Sequence, residues 1–253
     1  MALPPEDDQG KHVSMSNSLT RAAHSLNLSE KRLIALGLAS TDSVPLKLLA
    51  LSANSGWKIR VTAQEYAETF DIEPCTAYTQ MQDASKKLFS RQIVSQATSR
   101  KGKPTEKHIR WVSSALYAEG DGYVELNFSP EIAPHLLGLR EQFTTYKLRH
   151  AAALDTVYAW RLFEVLKSWQ STGLYATSIE NFWEVMEAPP SCRKDFKALR
   201  IRIIEPAVLS ITSRASMLVA WTPIRSGARR VTALEFRFKA NPQQSFELDG
   251  DSV

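Results

Sequence analysis

Cysteine is scarce in this chain, long apolar runs are absent, and catalytic motifs are missing; each shortage narrows what the protein can do. Among 253 residues there are two cysteines, Cys75 and Cys192. They form no CxxC or Cys/His pattern, so structural zinc is not expected and ordinary free thiols in a reducing cytoplasm are. No apolar stretch approaches the length of a membrane span. The opening Met-Ala-Leu-Pro-Pro-Glu-Asp-Asp lacks the basic region and apolar core of a signal peptide. The expectation is a cytoplasmic protein with no membrane association. The five histidines, His12, His24, His108, His135 and His150, are scattered, with no two spaced two or four residues apart. That removes the metal-binding His pair a rolling-circle nuclease or relaxase needs. No GxxxxGK[ST] is present, so there is no P-loop. The paired carboxylates Asp7 and Asp8 lie in a tail without a scaffold. No catalytic site and no cofactor are expected.

What the chain does have is positive charge in two places. The overall balance is only +4. Residues 86–110, however, hold eight Lys or Arg against Glu106, a net +7, and residues 191–230 hold nine against Asp195 and Glu205, again +7. Residues 1–10 carry three acids and no base. A single basic run reads as solvated surface. Two matched runs fit a polyphosphate partner, because each neutralised phosphate releases counterions.

Each basic run ends a longer pattern that occurs twice, 115 residues apart. Thr62-Ala-Gln-Glu65 and Thr177-Ser-Ile-Glu180 both read as capping boxes, in which a Thr side chain and a Glu three residues on satisfy each other's backbone N–H. Twelve residues after each Thr stands a proline, Pro74 and Pro189, suited to the break before a second helix. A longer amphipathic segment and a basic stretch between β-prone runs follow. Short helix, turn, longer helix and basic hairpin describe a winged helix-turn-helix. The fold class is therefore α+β, with two tandem winged-helix domains. The expected organisation is a disordered acidic tail over 1–16, an N-terminal domain over 17–142, a C-terminal domain over 143–240 and a flexible tail over 241–253.

Ser18 and Ser29 are placed as caps of two early helices. Trp57–Val61 reads as a strand, 63–70 and 75–89 as the first helix pair, and 93–98 with 108–113 as the first wing. A second hairpin joins 111–118 to 123–128. Ser129-Pro-Glu131 starts a helix that Gly138 ends. The spacing of Leu154, Tyr158, Leu162, Val165 and Trp169 predicts the longest helix over 147–169. The second helix-turn-helix spans 178–209, with Ser191 as cap of a continuous helix over 191–209 whose tail Pro206 kinks. Strands 217–221 and 231–238 flank the second wing.

On that 191–209 helix, Phe196, Leu199 and Ile203 fall on the inward face, and Arg193, Lys197 and Arg200 share another, with Lys194 at its edge. A recognition helix presents its N-terminal turns to base edges, and arginine pairs bidentately with guanine. Arg193 and Arg200 are thus the candidates for base or close phosphate contact, with Lys194 and Lys197 beside them. The wings supply Lys101 and Lys103 in the first unit and Arg225, Arg229 and Arg230 in the second as phosphate or minor-groove contacts, which position without specifying sequence. The first recognition helix offers Lys86 and Lys87 at its far end, suited to gripping backbone.

Phe143-Thr-Thr-Tyr-Lys-Leu148 followed by Leu154-Asp-Thr-Val-Tyr-Ala-Trp-Arg-Leu-Phe-Glu-Val-Leu166 resembles the signature of iteron-binding plasmid replication initiators, the Rep proteins of theta-replicating plasmids. Ser18–Leu36, Val61–Tyr66, Phe196–Ile204 and Leu234–Phe238 resemble the same family, so the likeness runs from about 17 to 239. Where typical members have Ser-Ile-Arg-Leu-Tyr-Glu, this chain has Ala159-Trp-Arg-Leu-Phe-Glu164. The resemblance implies two winged-helix domains that bind repeated origin sequences in double-stranded DNA. The C-terminal domain would supply most base readout. The N-terminal one would contact backbone and form dimers. It further implies that monomers bind direct repeats and help open the origin, while dimers repress the initiator's own gene at an operator inverted repeat. Host replication initiator and replicative helicase would be partners. The alternative is a dimeric winged-helix transcriptional regulator with no replication role. Direct repeats beside an AT-rich region favour the first reading, and a lone palindrome favours the second.

Overall fold

The computed structural model describes residues 11–22, 25–40, 56–118, 120–136, 143–226 and 230–241. Within them the same order of elements occurs twice. In the first half a helix, Leu28–Ala39, precedes strand β2 (Trp57–Thr62), a short helix Ala63–Phe70 and a long one Pro74–Ser90. The hairpin of β3 (Gln92–Thr98) and β4 (Pro104–Arg110) follows, then β5 (Val112–Ala118) and β6 (Tyr123–Phe128). In the second half the helix Val157–Lys167 precedes β8 (Leu174–Ser178), the helix Ile179–Val185, a segmented helix reaching Arg214, and the hairpin of β9 (Met217–Ser226) and β10 (Arg230–Ala240). The sheets run β2-β6-β5 and β8-β10-β9, antiparallel throughout. Two winged-helix units in one α+β chain are what the sequence predicts.

Local chemistry explains the first unit. Strand β2 alternates, with Trp57, Ile59 and Val61 buried and Lys58 and Arg60 outside, as one buried face demands. Thr62 closes the expected capping box: its hydroxyl accepts from the Glu65 N–H at 3.1 Å and the Glu65 carboxylate accepts from the Thr62 N–H at 3.0 Å. Pro74 opens the next helix, where its missing N–H costs nothing. That helix buries Ala77, Met81, Ala84 and Leu88. Gly56, just before β2, sits at φ +93, and an added Cβ would lie 2.5 Å from the Phe128 carbonyl oxygen.

Several boundaries differ from the sequence expectation. The first short helix is Asn17–Arg21, capped by Ser16 instead of Ser18, and the next is capped by Asn27 with Glu30 in a capping box instead of by Ser29. Residues His12–Ser16, expected as tail, form β1, which pairs antiparallel with β7 (Phe143–Lys147). The capping box expected at Thr177 does not form; the cap moves by one, with Ser178 accepting from the Asn181 N–H at 3.1 Å and Thr177 accepting from the Asn181 side chain. The predicted 147–169 helix is two, Leu148–Ala152 and Val157–Lys167. Leu154 turns inward, Asp155 pairs with Arg214 at 2.8 Å, and the Thr156 hydroxyl restarts the helix by accepting from the Ala159 N–H. The expected end at Gly138, the residues before Lys11 and those after Asn241 lie outside the described residues.

The helix expected over 191–209 is also divided. Pro190–Lys194 stops at Asp195, whose backbone is extended (φ −132, ψ 109) and whose carboxylate accepts from the Lys197 N–H at 2.8 Å. From Phe196 the chain is helical to Arg214, through a π turn at Arg200–Ile204 in which the Glu205 N–H reaches back to the Arg200 carbonyl. This wider turn precedes Pro206, which has no N–H to give and whose ring would crowd a regular α-turn. The proline is thus taken up without ending the helix. Ser191 caps nothing; Pro189 occupies that position.

A buried polar cluster joins the two units. Glu164, on the helix Val157–Lys167, is 2% exposed and accepts from Lys31 Nζ at 2.6 Å, Tyr146 Oη at 2.8 Å and Trp160 Nε1 at 2.9 Å. Arg161, one turn earlier, donates to the carbonyls of Val185 and Ala22 and lies 3.7 Å from Glu187. Lys31 and Ala22 come from the first unit, Val185 and Glu187 from the second. Arg21 adds hydrogen bonds to the Ser168 hydroxyl and carbonyl and lies over the Trp169 ring. Burial lowers the pKa of Lys31 and of Arg161, with Glu164 opposing the shift at both, and raises that of Tyr146 well above the usual tyrosine range. Every charge is met by an opposite charge or a carbonyl, which is the condition for burying it.

Candidate nucleic-acid interface

The second unit presents its basic side chains on the segmented helix. Lys194, Lys197 and Arg200 are exposed, the first before the Asp195 break and the other two after it. Leu199, Ile203, Ile204, Ala207 and Ile211 are buried on the opposite side, and Phe196 packs against the core. The inward assignment of Phe196, Leu199 and Ile203 therefore holds. Arg200 lies 3.4 Å from Glu205, an exposed pair that steers the guanidinium but contributes little stability. Arg202, also exposed, belongs to the same surface and was not singled out from the sequence. Its signal is weak there, because a π turn shifts every later residue relative to an α-helical wheel.

Arg193 differs from its neighbours. Its Nε donates to the Ala188 carbonyl at 2.7 Å and its Nη1 pairs with Glu184 at 2.5 Å. The guanidinium is turned onto Glu184 in the last turn of the helix Ile179–Val185 and onto the Ala188 carbonyl of the turn that follows it. The helix-turn-helix corner is fastened by this side chain.

The wings divide by unit. In the first, Lys101 and Lys103 are exposed at the tip between β3 and β4. The tip is closed by hydrogen bonds from the Ser99 N–H to the Lys103 carbonyl at 2.8 Å and from the Gly102 N–H to the Ser99 carbonyl at 2.9 Å. Gly102 takes φ +73, which a side chain would strain. Arg100 is exposed beside them. In the second, Arg225 lies on β9 opposite Val231, and Arg230 opens β10 opposite Ser226, 3.9 Å from Glu180. The strands run further than the sequence indicates, so Arg225 is held by a ladder and not by a loop. Arg229 lies outside the described residues. Lys86 and Lys87 are exposed at the C-terminal end of Pro74–Ser90. Nearer that helix's start, Gln80 accepts from the Tyr66 hydroxyl at 3.2 Å, which occupies one of the polar groups available for bases.

Among the described residues no group of three or more His, Cys, Asp or Glu could hold a metal ion, and no helix is long and apolar enough to cross a membrane. The arrangement is one of exposed cations on helices and hairpins, with the charges of the interior paired among themselves.

Comparison with known proteins also divides the chain in two, with the first match running through β7 and the helix Val157–Lys167 instead of ending at 142. Residues 12–167 match the family described as "Initiator Replication protein, WH1", and residues 178–238 match "Initiator Rep protein, WH2". A 27.6 kDa Escherichia coli protein is 26% identical over 220 residues, covering 85% of this chain and 90% of the relative. The PI protein of Escherichia coli is 22% identical over 265 residues, covering 93% and 84%. Among solved structures, the Pi initiator protein in complex with iteron DNA superposes with a TM-score of 0.75 at 19% identity, covering 93% of this chain and 99% of that one.

Proposed function

We propose, starting from the fact that this chain belongs to the initiator replication protein family with its WH1 and WH2 domains, that it starts plasmid replication by binding direct repeats at the origin. One observation carries this reading: two winged-helix units, each with exposed cations on its helix or wing, are tied through the buried Arg161, which donates to the carbonyls of Ala22 and Val185. Two readers held in fixed relation suit a binding site that spans successive major grooves. The related Pi initiator was crystallised on iteron DNA.

In this reading residues 143–240 supply base recognition, through Lys194, Lys197, Arg200 and the neighbouring Arg202. Residues 17–142 grip phosphates through Lys86, Lys87, Lys101 and Lys103 and form dimers. Arg225, Arg229 and Arg230 hold the backbone from the second wing. Arg193 is a positioning residue that fixes the corner before the reading helix. Monomers open the origin and recruit the host initiator and helicase in the cytoplasm, whereas dimers repress the gene at an inverted repeat. No step calls for catalysis by this chain. The test is a plasmid whose only origin is the gene with its flanking repeats. Transformants that disappear with Lys197→Glu plus Arg200→Glu, although the protein stays folded, support initiation. Wild-type protein that binds only a palindrome and yields no transformants favours the regulator.

A further inference from the structure

Ile201 is the most informative exposed apolar side chain of the second reading helix. It is 47% exposed, within the π turn, with exposed Arg200 and Arg202 on either side in sequence. Lys197, exposed too, stands four residues earlier and so shares its face. The buried seam of the helix is filled by Leu199, Ile203, Ile204, Ala207 and Ile211, leaving Ile201 to face away from the core. Isolated exposed aliphatics are ordinary on protein surfaces. This one is enclosed by cations on the side of the helix that a duplex would meet. A duplex offers it one apolar partner at the base edges of the major groove, the C5 methyl of thymine. An isoleucine is also stiff at χ1, so little freedom is lost on contact.

We infer that Ile201 is a specificity-determining residue that packs against a thymine methyl in the major groove, between phosphate or guanine contacts made by Lys197, Arg200 and Arg202. The inference rests on the DNA-reading function proposed above and adds a base identity to it.

The test uses the full chain and a duplex selected from a random pool. Each thymine is replaced singly by deoxyuridine, which removes the methyl and keeps the hydrogen-bonding edge. Wild type is expected to bind about four-fold more weakly at one position, the factor that about 0.8 kcal/mol per buried carbon represents. Ile201→Ala should bind the parent duplex more weakly and show equal affinity for thymine and deoxyuridine there. Leu209→Ala, 70% exposed on the same helix beyond Pro206, should keep the wild-type ratio. Unfolding curves for both variants should match wild type, since neither side chain is buried. The inference is overturned if Ile201→Ala retains the thymine preference, if no substitution weakens wild type, or if the selected site contains no thymine. A pool that yields no enriched sequence sinks the DNA-reading function itself; enrichment without methyl dependence removes only the role of Ile201.

Discussion

Replacing Lys31 by Met tests the buried ion pair at the centre of the cluster. Lys31 Nζ is 2.6 Å from Glu164 Oε2, and both side chains are almost fully buried, 4% and 2% exposed. Met keeps the apolar stem and volume and deletes the charge. Glu164 would remain as a buried carboxylate with two neutral donors, Tyr146 and Trp160. Removing one partner of a buried pair costs about 3–5 kcal/mol. The two surviving hydrogen bonds put the expected loss near the lower end, about 3 kcal/mol. For a chain of this size that corresponds to a fall in Tm of roughly 6–12 °C. Glu164→Gln should cost a similar amount, because it leaves the ammonium group facing an amide. The double variant should regain part of the loss, since a Gln oxygen can still accept from Tyr146 and Trp160 and no unpaired charge is left. A coupling energy of about 2 kcal/mol or more is expected from the double-mutant cycle. Urea unfolding followed by tryptophan fluorescence and circular dichroism measures it, with Trp160 reporting from inside the cluster. A loss below about 1 kcal/mol for Lys31→Met, or strict additivity of the two single variants, would refute the reasoning.

Salt dependence of DNA binding should separate the cations: Lys197→Ala and Lys101→Ala each lower the slope of log K against log salt by about 1, whereas Arg193→Ala should chiefly lower thermal stability. A steep slope change for Arg193→Ala with unchanged melting would contradict its role at the corner. Gly56→Ala should destabilise by about 2 kcal/mol or more, because the left-handed backbone and the Phe128 carbonyl 2.5 Å from the new Cβ leave it no room; equilibrium unfolding reads the difference. Burial pushes the Tyr66 hydroxyl up to about 12. A raised folded-state value contributes stability that is complete below the unfolded value near 10 and is lost as the pH rises towards 12. Alkaline unfolding should therefore steepen over that interval and flatten in Tyr66→Phe, with an unchanged profile in the variant counting against it.

Much of the architecture was legible because its signals are local. The Thr62 capping box, Pro74 at a helix start, the Gly102-containing wing tip and the alternation of β2 each depend on a few adjacent residues. The errors arose where two neighbours compete for one role. Thr177 and Ser178 both carry a hydroxyl, and only the strand register of β8 decides which one caps. Thr156 and Asp195 break helices that apolar spacing alone would run through. The buried cluster was invisible for another reason. Lys31 and Glu164 are 133 residues apart, and nothing in the spacing of either says that its charge is inside. The candidate site was legible as a set of exposed cations, but not in the turn of Arg193 onto Glu184 and the Ala188 carbonyl, nor in the π turn that brings Ile201 and Arg202 to the surface.

A hydroxyl-radical footprint of the full chain on a selected duplex tests the central claim most directly. Two winged-helix units held in fixed relation should protect two backbone patches on one face of the DNA, about one helical turn apart, within a single asymmetric repeat. A single protected patch, or two related by a palindrome and present only with a dimer, would contradict the account.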